Sequence, residues 1–145
     1  MNVTFFGHRK TSKEVKIILR KKLINLIEFY NADTFYVGNQ GDFDFMVRQV
    51  LKELKEVYPH IAYTVVLAYI PNVGYRYEDI DYFDTIYPEE LENTPKKFAI
   101  SKRNFWLIEH SDIVVTCVRN SVGGAAKFKE IAEKKGKWVI NIDDN

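Results

Sequence analysis

The sequence predicts an α/β protein: a mostly parallel, five-stranded sheet covered by helices on both faces. Three observations predict it. Short runs rich in β-branched and aromatic residues alternate with longer runs of helical periodicity. The run Ile61 to Tyr69 is nearly continuous in apolar character, as strands buried on both faces are. The first two β-rich runs each stop at a glycine, Gly7 and Gly38, where the chain is free to turn.

The elements follow in order. Val3 to Phe6 is the first strand. Thr11 and Glu14 then stand in capping-box spacing. Val15, Ile18, Leu19, Leu23, Leu26, Ile27 and Tyr30 repeat at helical spacing and give one apolar face. Lys13, Lys16, Arg20, Lys21 and Lys22 lie mostly off that stripe and read as a solvated helix face. Thr34 to Val37 is the second strand. Val47, Val50, Leu51, Leu54 and Val57 mark a second helix, closed by Pro59. Ile61 to Tyr69 is the third strand.

Regularity then fails. Ile70 to Phe98 holds three of the four prolines and a cluster of acids from Glu78 to Glu92. So long a structureless stretch is uncommon in a compact domain. It reads as an irregular excursion over about 70–100, either a functional loop or a holder of short elements. A short helix runs from near Ser101 to about Glu109. Asp112 to Val118 is the fourth strand. Gly123-Gly124 opens a helix with Phe128, Ile131 and Ala132 on one face, ending near Gly136. Trp138 to Ile142 is the last strand. No repeat or linker divides residues 1–145, so a single domain is expected.

Right-handed crossovers leave few topologies for such an alternation, and the strand order 3-2-1-4-5 follows. Winding reverses between strands one and four. Ligands bind outside the carboxyl ends of the strands at such a switch point.

Composition narrows the function classes. The chain has 145 residues, 46% apolar and 28% charged, with a formal net charge of +1. That balance gives no electrostatic argument for a nucleic-acid partner. No apolar run approaches the roughly 20 residues of a membrane helix, so no membrane partner is expected. The start of the chain lacks the pattern of a signal peptide. Cys117 is the only cysteine, which excludes an intrachain disulfide and suggests a reducing, cytoplasmic compartment. It falls in a strand with no base beside it and reads as a core residue. His8, His60 and His110 show no ligand spacing, so neither a metal nor a cofactor is expected.

The informative residues fall at the switch point. Gly7-His8-Arg9 follows strand one, and Arg119-Asn120-Ser121-Val122-Gly123-Gly124 follows strand four. Gly123 and Gly124 stand where a helix begins, so a phosphate can approach the free N–H groups of its first turn. The helix dipole contributes roughly 0.3–1 kcal/mol for an anion there. Arg9, Arg119 and His8 are candidates for charge-assisted hydrogen bonds. Gly38-Asn39-Gln40-Gly41 either turns the chain after strand two or offers backbone contacts to the same ligand. Asp42 and Asp44 either complement a helix dipole or bind ribose hydroxyls. The tyrosines at 69, 75, 77, 82 and 87 suggest base stacking or a packing surface, and Tyr69 is the best placed for stacking because it extends strand three.

Taken together, several segments resemble the SLOG superfamily, a Rossmann-like group that includes the LOG phosphoribohydrolases and the DprA proteins. The carriers are Phe5-Phe6-Gly7-His8-Arg9, Gly38-Asn39-Gln40-Gly41-Asp42-Phe43-Asp44, Lys102-Arg103-Asn104-Phe105-Trp106, His110-Ser111-Asp112 and Gly123-Gly124-Ala125-Ala126-Lys127. The pattern looks most like the YpsA-type branch. The resemblance implies a Rossmann-like three-layer sandwich and a homodimer. LOG enzymes carry Pro-Gly-Gly-x-Gly-Thr-x-x-Glu at the last helix. Here both first glycines and Glu130 match, while Val122, Ala126 and Lys127 replace the Pro, the third Gly and the Thr.

Glu130 would then stabilise positive charge on a ribose during N-glycosidic cleavage, with Arg103 holding phosphate or sugar oxygens. Taken without the resemblance, Glu130 reads as a helix glutamate paired with Lys127 or Lys134. Lys127 either binds the phosphate in place of threonine or points to solvent. Ser121 and Asp44 join the expected ligand contacts. Two functions fit: a nucleotide-binding protein with phosphoribohydrolase-like activity, or a non-catalytic sensor or sequestering protein for a nucleotide signal such as a cyclic nucleotide or an ADP-ribose-type molecule.

Overall fold

The computed structural model describes residues 1–70 and 84–143. The tyrosines at 75, 77 and 82, and much of the expected excursion, lie outside the described residues. The elements are β1 (Asn2–Gly7), α1 (Val15–Phe29), β2 (Thr34–Val37), α2 (Gly41–Val57), β3 (Ala62–Val66), β4 (Thr85–Ile86), α3 (Lys96–Glu109), β5 (Ile113–Cys117), α4 (Gly124–Lys134) and β6 (Trp138–Asn141). A 3-10 turn, Glu89–Leu91, leads towards α3.

The sheet has six strands in the order β4-β3-β2-β1-β5-β6, and every pairing is parallel. The expected five strands and their order are all present, and the sixth corrects the count. It is β4, a two-residue edge strand paired through Val65 with Thr85 and Val66 with Ile86. Two residues within an acidic, proline-bearing stretch carry no periodicity to read.

The sheet separates two apolar cores, which makes the three layers. Alternate residues of one strand point to opposite faces. Thus Val3 and Phe5 pack with Leu19, Leu23, Leu51 and Leu54 of α1 and α2. Phe6 and Val114 pack with Leu107, Ile108, Phe128 and Ala132 of α3 and α4. β5 is buried along its whole length. Burial on both faces explains its largely apolar, β-branched run, in which the one polar residue, Thr116, donates its hydroxyl to Asn141 Oδ1.

Two element starts differ from expectation. Helix α1 begins at Val15 with Glu14 at its N-cap, so Thr11 and Glu14 form no capping box. Thr11 Oγ1 instead donates to the His8 carbonyl at 3.0 Å, and the Ser12 hydroxyl donates to the Glu14 carboxylate. Helix α3 begins at Lys96, directly after Pro95, rather than near Ser101. Lys96, Lys97 and Phe98 are exposed, so the first turn has no apolar face to detect.

Candidate functional site

Three loops meet at the carboxyl edge of the sheet, where β1 and β5 lie side by side and their connections run in opposite directions. The loops are tied to one another. The Asp42 N–H donates to the Arg9 carbonyl at 2.7 Å, and the Thr11 N–H reaches Asp42 Oδ2 at 3.3 Å. Gly41 makes this possible: its φ is +85°, and a Cβ there would stand 2.9 Å from Arg9 Cα. His8 ties the first loop to the third. Its Nε2 accepts from the N–H groups of Arg119 at 3.0 Å and Asn120 at 3.4 Å. That nitrogen is therefore engaged in the loop and is not a donor offered to the cleft.

Between these loops lies a cleft of about 350 Å³. Gly7, His8, Arg9, Gly38, Gln40, Asp44, Arg103, Gly123 and Gly124 all line it. The topology brings together residues up to 117 positions apart (Gly7 and Gly124). Helix α4 starts there, at Gly124, with Gly123 at its N-cap and φ +109°. A Cβ at either glycine would meet nothing within 4 Å. The first turn of α4 thus offers its free N–H groups to open space, the arrangement an anion needs.

Two ionisable groups that line the same cleft are buried. Asp44 is 9% exposed and Arg103 is 2% exposed. Asp44 Oδ2 accepts from the Gln40 N–H at 2.9 Å. Burial pushes the Asp44 carboxyl up from its ordinary value, while Arg103, the Gln40 N–H and Arg48 pull against it. Burial likewise lowers Arg103, opposed by Asp44. The guanidinium is held firmly: Nη1 donates to the Val66 carbonyl at 2.9 Å, and Nε to Asn104 Oδ1 at 2.9 Å. Gly38 leaves room for both groups, since a Cβ would stand 2.6 Å from Asp44 Oδ2 and 3.1 Å from Arg103 Nη1.

The remaining candidates are placed elsewhere. Asn39 and Tyr69 line an adjoining chamber, which Gln40 shares. Arg119 lines a third cavity beside Cys117 and pairs with Asp143 at 3.2 Å. Ser121 is exposed. Lys127 Nζ lies 5.5 Å from the ring centroid of Phe128. Glu130 pairs with Lys134 at 3.2 Å, and its side chain is 66% exposed. None of Ser121, Lys127 and Glu130 is among the residues lining the cleft. Burial, with Asp143 adding to it, pushes the Cys117 thiol up to about 11, which suppresses its thiolate. Among the described residues no group of three His, Cys, Asp or Glu is placed to hold a metal ion. No described helix is long and apolar enough to cross a membrane.

Several contributors went unmarked in the sequence. Ile100 and Leu107 line the cleft. They stand three before and four after Arg103, so helical spacing from that residue points to them. Arg48 Nη1 donates to the Gly38 carbonyl at 3.0 Å, one turn after Asp44 on α2. Phe43 packs where a Cβ of Gly7 would fall, so the backbone of Gly7 and the helix make a close seat.

No protein-family model matches the chain, and no curated protein matches it.

Proposed function

We propose that the cleft binds a phosphate-bearing, nucleotide-derived ligand, in keeping with the resemblance to the SLOG superfamily. The observation that carries this reading is the pairing of two features in one cleft: the open start of α4 at Gly123-Gly124, and the buried Asp44 and Arg103. A phosphate at the helix start is stabilised by the N–H groups and the dipole. Arg9, exposed at the rim, supplies the mobile cation. Asp44 accepts hydrogen bonds from ribose hydroxyls. Arg103 is bound through Nε to Asn104 and through Nη1 to Val66, which holds its guanidinium in place in the cleft with its charge acting on Asp44.

Binding without turnover is the form the placement of the carboxylates favours. Glu130 is paired with Lys134 outside the cleft lining, and Asp44 is the carboxylate that lines it. A sensor or sequestering protein needs only the binding site. A thermal-shift screen with AMP, ADP-ribose, NAD and cyclic dinucleotides, followed by recovery of each compound, tests this. The expected result is stabilisation by at least one nucleotide, recovered intact. Recovery of free base and ribose phosphate would restore the hydrolase reading, and stabilisation by none of them would reject the site.

A further inference from the structure

The cleft is not isolated. A second chamber of about 540 Å³ opens beside it at the carboxyl ends of β2 and β3. Gln40 lines both spaces. Asn39 of the chamber accepts from Arg103 of the cleft at 3.5 Å, and the consecutive residues Ala99 and Ile100 of α3 line the chamber and the cleft respectively. The loop Gly38-Asn39-Gln40 therefore forms a ridge that borders both compartments. Ligand pockets commonly hold about 300–1,000 Å³. The cleft alone lies near the bottom of that range, and the two compartments together lie near its top.

The chamber differs in chemistry from the cleft. It offers the half-buried ring of Tyr69, whose hydroxyl is fixed by donation to the Lys96 carbonyl at 3.2 Å. Lys96 Nζ lies 5.7 Å from that ring's centroid. The side chains of Asn39 and Gln40 add amide donors and acceptors along the ridge. Apolar Ala68, Leu91 and Ala99 line it too, as does the acidic residue Glu92. An aromatic platform with amides and a cation beside it suits a second ring system carried next to a phosphate.

Resting on the phosphate-site reading above, we infer that the two compartments together take an elongated, diphosphate-bridged nucleotide, with one half over Asp44 and the other half against Tyr69. Mononucleotides fill only the cleft. The diphosphate stays at the start of α4 in the cleft, the ridge amides face the part of the ligand that crosses between the compartments, and Tyr69 with Lys96 sets affinity for the distal half.

Calorimetric titration of ribose 5-phosphate, AMP and ADP-ribose into the wild-type chain and the variants Tyr69→Ala and Lys96→Glu tests this. Lys96 is exposed, so its variant reads the chamber even if Tyr69→Ala folds poorly. ADP-ribose is expected to bind at least about tenfold more tightly than AMP, and each variant to remove about that factor for ADP-ribose while leaving ribose 5-phosphate unchanged. Equal affinities for AMP and ADP-ribose, or variants without effect on ADP-ribose, would overturn the two-compartment inference and leave the phosphate site standing. Binding of none of the three probes would overturn both.

Discussion

At the scale of single residues, Asp44 carries the most physical consequence. It is a carboxylate placed almost out of water, with Arg103, Arg48 and one backbone N–H opposing the cost. Its folded pKa is raised above the ordinary 3.8. Between that value and the raised one, the folded chain holds a proton that the unfolded chain has lost. Asp44 therefore contributes less to stability as pH rises through that window. The variant Asp44→Asn removes this dependence and keeps an acceptor for the Gln40 N–H. Its melting temperature relative to wild type is expected to climb as pH rises from about 4. A difference that stays flat with pH, or falls, would mean that the carboxyl is not buried as described. His8 makes a second point at this scale. It lines the cleft, and its Nε2 receives the Arg119 and Asn120 N–H groups and so also shapes the loop that leads to α4.

At the scale of elements, the close seat of α2 on β1 fixes the cleft wall. Phe43 is 1% exposed, and its ring occupies the space a side chain at Gly7 would need. Gly7→Ala is expected to cost roughly 1–3 kcal/mol, read as a lower denaturation midpoint at unchanged slope. An unchanged midpoint would show that the seat yields freely. Elements with a full apolar face were legible in the sequence. Thr34–Val37 has the same bounds in both readings, and α2 ends where Pro59 signalled. Elements without such a face were not. The first turn of α3 buries only Ala99, and β4 has two residues, so neither writes a periodic pattern. Thr11 and Glu14 matched a spacing, but the pattern cannot show that Thr11 faces the His8 carbonyl.

At the scale of the whole molecule, the site is a product of topology. Gly7, Gly38, Arg103 and Gly124 are distant in sequence and meet only because the order β4-β3-β2-β1-β5-β6 reverses direction beside β1. The sequence made that reversal legible, and with it most of the cleft lining. It offered the Glu130–Lys134 pair and an Asp44 ligand contact each as one of two readings and could not choose between them, because both are helix carboxylates and only burial separates them. The proposed function requires a phosphate at the start of α4. Amide NMR of the 15N-labelled chain during titration with AMP tests it most directly, with Gly124→Asp as the control. Gly124 has open space around it, so the added carboxylate occupies the anion position without a clash. Saturable shifts centred on the amides of Gly123, Gly124 and Ala125 are expected, absent in the folded variant. Shifts centred elsewhere, or shifts that persist in Gly124→Asp, would contradict it.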